Sequence, residues 1–97
     1  MAINPANNLT TATGSAAEVL LTPKNARLIS IFSPGTNTGV LQLREAGAVG
    51  SGASARVAIG ATQTFYFGSQ GVAFAGGLSY QATVAGDTWY ITWGSLL

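Results

Sequence analysis

The hydroxyl, carboxylate and amine groups of this chain lack the partners that catalysis requires. Serines and threonines are abundant, but there is no histidine and no cysteine, so no imidazole can take a proton from a nucleophilic hydroxyl. Lys24 is the only lysine and lies between Pro23 and Asn25. In that turn-like setting it reads as a solvated cation, not a base. Glu18, Glu45 and Asp87 are the only acids. A glycosidase-type pair needs two carboxyl groups about 5–10 Å apart in a cleft, and three acids scattered at turns and strand ends give no reason to expect one. They also lack the spacing of an EF-hand or of a His/Cys metal site. Gly47-Ala48-Val49-Gly50-Ser51-Gly52 has the glycines of a phosphate loop, but not the Gly-Lys-Ser/Thr ending or the helix that must follow. The expectation is a protein with no catalytic residue, no cofactor and no metal.

Charge narrows the partners. Lys24, Arg27, Arg44 and Arg56 against the three acids leave a net charge of +1, and charged residues make up 7% of the chain. Soluble domains ordinarily carry about 25%. A surface so poor in charge has no concentrated basic patch for nucleic acid, and direct nucleic-acid binding is not expected. Hydrophobic residues make up 47% of the chain, the reverse of a disordered composition. No apolar stretch approaches the ~20 residues of a membrane-spanning helix, and no membrane association is expected.

The elements that would position any site are short and strand-like. Residues 1–17 are rich in Asn, Thr, Ala, Gly and Ser, with Ile3 and Leu9 as the only large apolar anchors. They read as an extended or flexible N-terminal arm. Residues 18–97 read as one β-domain. Glu18 to Thr22 is a strand ended by Pro23, and Arg27 to Ser33 is a β-branched and aromatic strand. Residues 34–39, Pro-Gly-Thr-Asn-Thr-Gly, are dense in turn residues and predict a hairpin into Val40–Arg44. Residues 46–55 contain no large side chain and read as a mobile surface loop. Leu78, Tyr80, Ala82 and Val84 alternate with Ser79, Gln81 and Thr83, the period of a half-buried strand. Ala85-Gly86-Asp87 then predicts a second hairpin, into Thr88–Trp93. No window has helical spacing. Seven or eight short strands predict an all-β, antiparallel β-sandwich, and a jelly roll is one topology that the strand count admits.

The aromatic residues divide by face. Phe65, Phe67, Trp89 and Trp93 read as core between two sheets, where large side chains bury the most area. Tyr66 and Tyr90 alternate away from that core. A phenol suits interfaces because its ring is apolar and its hydroxyl hydrogen-bonds. With Ile3 and Leu9 on the arm, they are the candidate interface residues.

Two stretches carry a resemblance. One is Leu28-Ile29-Ser30-Ile31-Phe32-Ser33-Pro34-Gly35-Thr36-Asn37-Thr38-Gly39-Val40-Leu41-Gln42-Leu43-Arg44-Glu45; the other runs from Gly77-Leu78-Ser79-Tyr80 to Thr88-Trp89-Tyr90-Ile91-Thr92-Trp93. Both resemble small Gly/Thr-rich β-sandwich structural proteins of tailed-bacteriophage virions. There an apolar strand, an Asn/Ser/Thr/Gly turn, a second strand and a terminal hairpin recur in this order. The resemblance spans about residues 19–97 and is one of order, without a diagnostic motif. It implies a capsid decoration (cement) protein that binds and stabilises the shell, made in the host cytoplasm and located in the virion. Its implied partners are copies of itself, as trimers over junctions between capsid subunits, and the major capsid protein or another virion protein. It brings no catalytic residue. The alternative is a tail, neck or fibre component binding a carbohydrate or receptor, with Tyr66, Tyr90 or an exposed tryptophan as the stacking platform.

Overall fold

A computed structural model describes residues 7–14, 17–50, 52 and 54–95. Among these the chain forms nine strands and no helix. They are β1 (Asn7–Thr13), β2 (Glu18–Thr22), β3 (Ala26–Phe32), β4 (Leu41–Arg44), β5 (Ala55–Ile59), β6 (Phe65–Tyr66), β7 (Val72–Phe74), β8 (Leu78–Ala82) and β9 (Thr88–Ser95). Two antiparallel sheets pack into a sandwich. The first has the order β1-β9-β3-β6, with β7 also on β3; the second has the order β2-β8-β4-β5. Tyr66 lies opposite Ser30 and Val72 opposite Leu28. β6 and β7 are therefore two pieces of one edge strand, interrupted around Gly68–Gly71.

Paired residues of an antiparallel sheet share a face, and the pairings sort core from surface. Ile31 opposes Ile91 and Ala12 opposes Trp89 in the β9 sheet. Leu43 opposes Tyr80, and Leu41 opposes Ala82 and Ile59, in the β8 sheet. All of these side chains are buried. Each fully buried aliphatic side chain of this kind stabilises the fold by roughly 1.5–3 kcal/mol. In β3 the register slips between Leu28 and Ser30, so Leu28 and Ile31 both face inward. Strict alternation would have placed Phe32 on the same face as Leu28. The bulge turns it outward instead, where it is 50% exposed.

Both segments that read as hairpins are connections between sheets. Residues 33–40 join β3 in one sheet to β4 in the other, and residues 83–87 join β8 to β9 in the same manner. Turn residues report that the chain reverses. They do not report whether the returning strand lies beside the first or beneath it. Among the described strands only β4 and β5 are neighbours both in sequence and in a sheet.

These two arches hold one another. Asn37 Nδ2 donates to the Thr88 carbonyl and the Thr88 N–H donates to Asn37 Oδ1, each at 2.8 Å. The buried Asp87 carboxylate accepts from the Thr38 N–H at 3.0 Å and the Gly39 N–H at 2.7 Å. Polar residues that read as turn formers thus satisfy backbone donors that burial would otherwise strand.

The segment read as an arm is partly built into the sandwich. Asn7–Thr13 forms β1, in unbroken register with β9 from Asn7 opposite Gly94 to Thr13 opposite Thr88. An edge strand needs little beyond its backbone, which is why its composition looks unstructured. Ala12 fills the core, and Trp93 Nε1 donates to Thr10 Oγ1 at 2.9 Å. Residues 1–6, and with them Ile3, lie outside the described residues.

The small-residue loop after β4 is anchored as well. Ala46 is buried, and the Gly50 N–H donates to Glu18 Oε1 at 2.9 Å while Ser79 Oγ donates to Glu18 Oε2 at 2.7 Å. Gly77 packs its backbone on that of Ala46 and Gly47. Absent side chains here serve close approach of backbones, a use that composition alone does not distinguish from looseness.

Candidate functional site

The two outer faces of the sandwich differ in chemistry. On the β8 sheet the outer row is Glu18, Gln81, Gln42 and Ala58, followed by Leu20, Ser79, Arg44 and Ala55. Arg44 donates to Gln42 Oε1 at 2.8 Å, and Glu18 holds the loop described above. This face carries both signs of charge and is partly covered by its own chain.

The β9 sheet presents something else. One row across its outer face runs Leu9, Thr92, Ser30, Tyr66, and the adjacent row runs Thr11, Tyr90, Phe32. Neither row contains a charge. Leu9 is 69% exposed and Tyr66 70%. Tyr90 is half-buried against Phe32, their ring centroids 5.9 Å apart at an interplanar angle of 48°. The third tyrosine, Tyr80, faces the core, and burial raises its phenol above the ordinary value.

Three of the four candidate interface residues, Leu9, Tyr66 and Tyr90, therefore meet on one face though they come from β1, β6 and β9. Phe32 completes it and was missed. Its outward direction depends on the β3 bulge, which an alternating pattern does not reveal.

The expected aromatic core needs one correction. Trp89 is fully buried, and Trp93 and Phe67 pack against the core as partly buried side chains. Phe65, however, is 42% exposed. It faces inward opposite Ile31, but it does so at the sheet edge, where nothing in the described chain closes over it. Phe65 and Phe67 stack at 6.1 Å and, with Arg56 to Ile59 of β5, line a groove of about 310 Å³ between the free edges of the two sheets. Arg56 spans these edges. Its guanidinium donates to the Ala73 carbonyl, lies 4.8 Å from the Phe74 ring centroid and pairs with Glu45 at 3.6 Å.

Each acid thus has a structural engagement: Glu18 with the loop, Glu45 with Arg56, Asp87 with the arch. The Glu18 carboxyl is held below its ordinary value, first by the Gly50 N–H and then by the Ser79 hydroxyl. A lowered folded value means the loop anchor is complete above the unfolded value of about 4.3 and is lost as pH falls through the lower folded value. In an NMR titration the Gly50 amide shift should stay flat from neutral pH down to that range and move only below it, and Glu18→Gln should abolish the movement. A Gly50 amide insensitive to acid in the parent chain would refute the anchor.

Comparison with protein-family models, with curated proteins and with solved structures returns no match for this chain.

Proposed function

We propose that this chain is a non-enzymatic structural protein of a bacteriophage virion, a capsid decoration protein that binds the shell and stabilises it, assembling there with copies of itself. The observation that carries the reading is the pair of uncharged rows on the outer face of the β9 sheet, beside the row of Gly94, Arg27 and Ala73 in which the Arg27 side chain is itself buried. Aromatic residues enriched and charges depleted are the composition of the desolvated centre of an interface, and Leu9, Tyr66, Phe32 and Tyr90 supply it on one face. The strand order supports the reading too. With β6 and β7 counted as one interrupted strand, the eight strands run 1-8-3-6 in one sheet and 2-7-4-5 in the other. We read this as two interleaved Greek keys, the jelly-roll order found in viral capsid and lectin domains. That likeness of topology is an analogy and does not itself assign a function.

The test is sedimentation with capsid shells of the source phage that have been stripped of this chain. The protein should rebind to a fixed stoichiometry. Tyr66→Lys should weaken binding at least ~30-fold, the cost of losing an interface anchor worth about 2 kcal/mol. The variant should fold normally, because Tyr66 is 70% exposed. Shells that ignore the protein would remove the reading, and glycan binding lost in the same variant would replace it with the carbohydrate-binding alternative.

A further inference from the structure

A sandwich of two open sheets has four edges, and each presents backbone donors and acceptors to whatever can pair with them. Proteins blunt such edges with charges, prolines, bulges or very short strands. Three of the four edges here are blunted. β2 begins at Glu18, shifts register between Leu20 and Thr22, and runs into Pro23-Lys24. β5 carries Arg56 and a register shift against β4. The β6–β7 edge is broken into pieces of two and three residues.

β1 has none of these devices. It is seven residues long, Asn-Asn-Leu-Thr-Thr-Ala-Thr, with no charge and no proline. It pairs with β9 without a single register shift. Among the described strands none lies on its other side. The register also says which groups are free. The Gly14 N–H donates to the Asp87 carbonyl at 2.7 Å, in line with the pairing of Thr13 and Thr88. By the alternation of an antiparallel ladder, Ala12, Thr10 and Asn8 bond to β9, while Thr13, Thr11 and Leu9 direct their backbone groups outward.

We propose that β1 is the docking edge for β1 of a second copy of this chain, paired antiparallel about a twofold axis at Thr10. The segment is self-complementary in that register. Leu9 stands opposite Thr11 of the other copy, and Thr11 opposite its Leu9, so the residues with outward backbone groups bond to each other. No charge opposes a charge. On the outer face the two Leu9 side chains become diagonal neighbours, about 7–8 Å apart at the backbone, and shield each other from water. The two β9 sheets then form one continuous sheet, and the uncharged rows of both copies lie side by side. This partner choice is independent of shell binding. It yields a dimer, in contrast to the trimer that the resemblance implies.

The experiment is solution mass by light scattering across a dilution series. The parent chain should be a dimer. The double variant Leu9→Lys/Thr11→Lys places lysine opposite lysine on both sides of the axis and should be monomeric throughout. Leu9→Glu/Thr11→Glu should likewise be monomeric alone. An equimolar mixture of the two should restore a dimer, which requires direct pairing of these strands and would not follow from damage to the fold. Ala55→Lys, on the β5 edge, should leave the dimer intact. A monomeric or trimeric parent chain would overturn the proposal, as would a mixture that stays monomeric. Loss of shell binding with an unchanged dimer would count against the proposed function only.

Discussion

Replacing Asp87 with alanine is expected to destabilise the fold by about 2–4 kcal/mol, the cost of stranding the buried Gly39 N–H, about 1–3 kcal/mol, together with the smaller loss at the part-buried Thr38 N–H. The carboxylate is buried and accepts from two backbone N–H groups, those of Thr38 and Gly39. The Thr38 hydroxyl also lies 3.4 Å away. The 33–40 segment has no ladder to fall back on, because it crosses between sheets. A domain of this size has a total stability of about 5–15 kcal/mol, so the loss is a large share of it. Asp87→Asn keeps one acceptor oxygen and should cost less than half as much. Urea unfolding followed by the near-UV signal of Trp89 and Trp93 measures both. A change below about 1 kcal/mol for the alanine variant, within the range of an ordinary surface substitution, would show that the arch holds itself.

Gly77 and Gly76 form the second test, because they are neighbours with opposite surroundings. Gly77 has φ 135°, and a Cβ there would collide with the Ala46 carbonyl and approach Gly47 Cα to 2.7 Å. Both are backbone atoms and neither can rotate away. Gly77→Ala combines left-handed strain with overpacking and is expected to cost on the order of 4 kcal/mol. Gly76 also has positive φ, 86°, but no atom lies within 4 Å of its would-be Cβ. Gly76→Ala bears the conformational term alone, about 1 kcal/mol. Thermal unfolding of the pair separates the two contributions. Equal shifts would mean that Ala46 and Gly47 move aside freely and that the close approach of their backbone to Gly77 contributes nothing.

These cases mark where the chain was legible. The fold class was, because a period of two in segments such as Leu78–Ala82 is imposed by the pleat itself and survives in any all-β arrangement. The buried partners of that strand, Tyr80 and Leu43, could be anticipated on the same basis. The outward direction of Tyr66 and Tyr90 followed from local alternation and agrees with their exposed and half-buried positions. β1 was not legible as a strand of the sandwich, since an edge strand of Asn and Thr has a backbone role that composition does not show. Phe32 was hidden by the bulge in β3.

By itself, then, the amino-acid order determined what is local. It set the alternation of each strand, the places where the chain must turn, and the absence of histidine and cysteine from any chemistry. Only the tertiary structure decided what is long-range. It placed β3 and β4 in different sheets, seated Asp87 under a loop 49 residues away in sequence from Thr38, and gathered Leu9, Phe32, Tyr66 and Tyr90 onto one face. The physical reason is that turns and alternation are governed by sterics over a few residues. Which strands lie side by side is governed by the burial of all inner faces at once. The scarcity of charge in this chain gained its meaning only there, when the uncharged residues of three separate strands and a bulge became one surface.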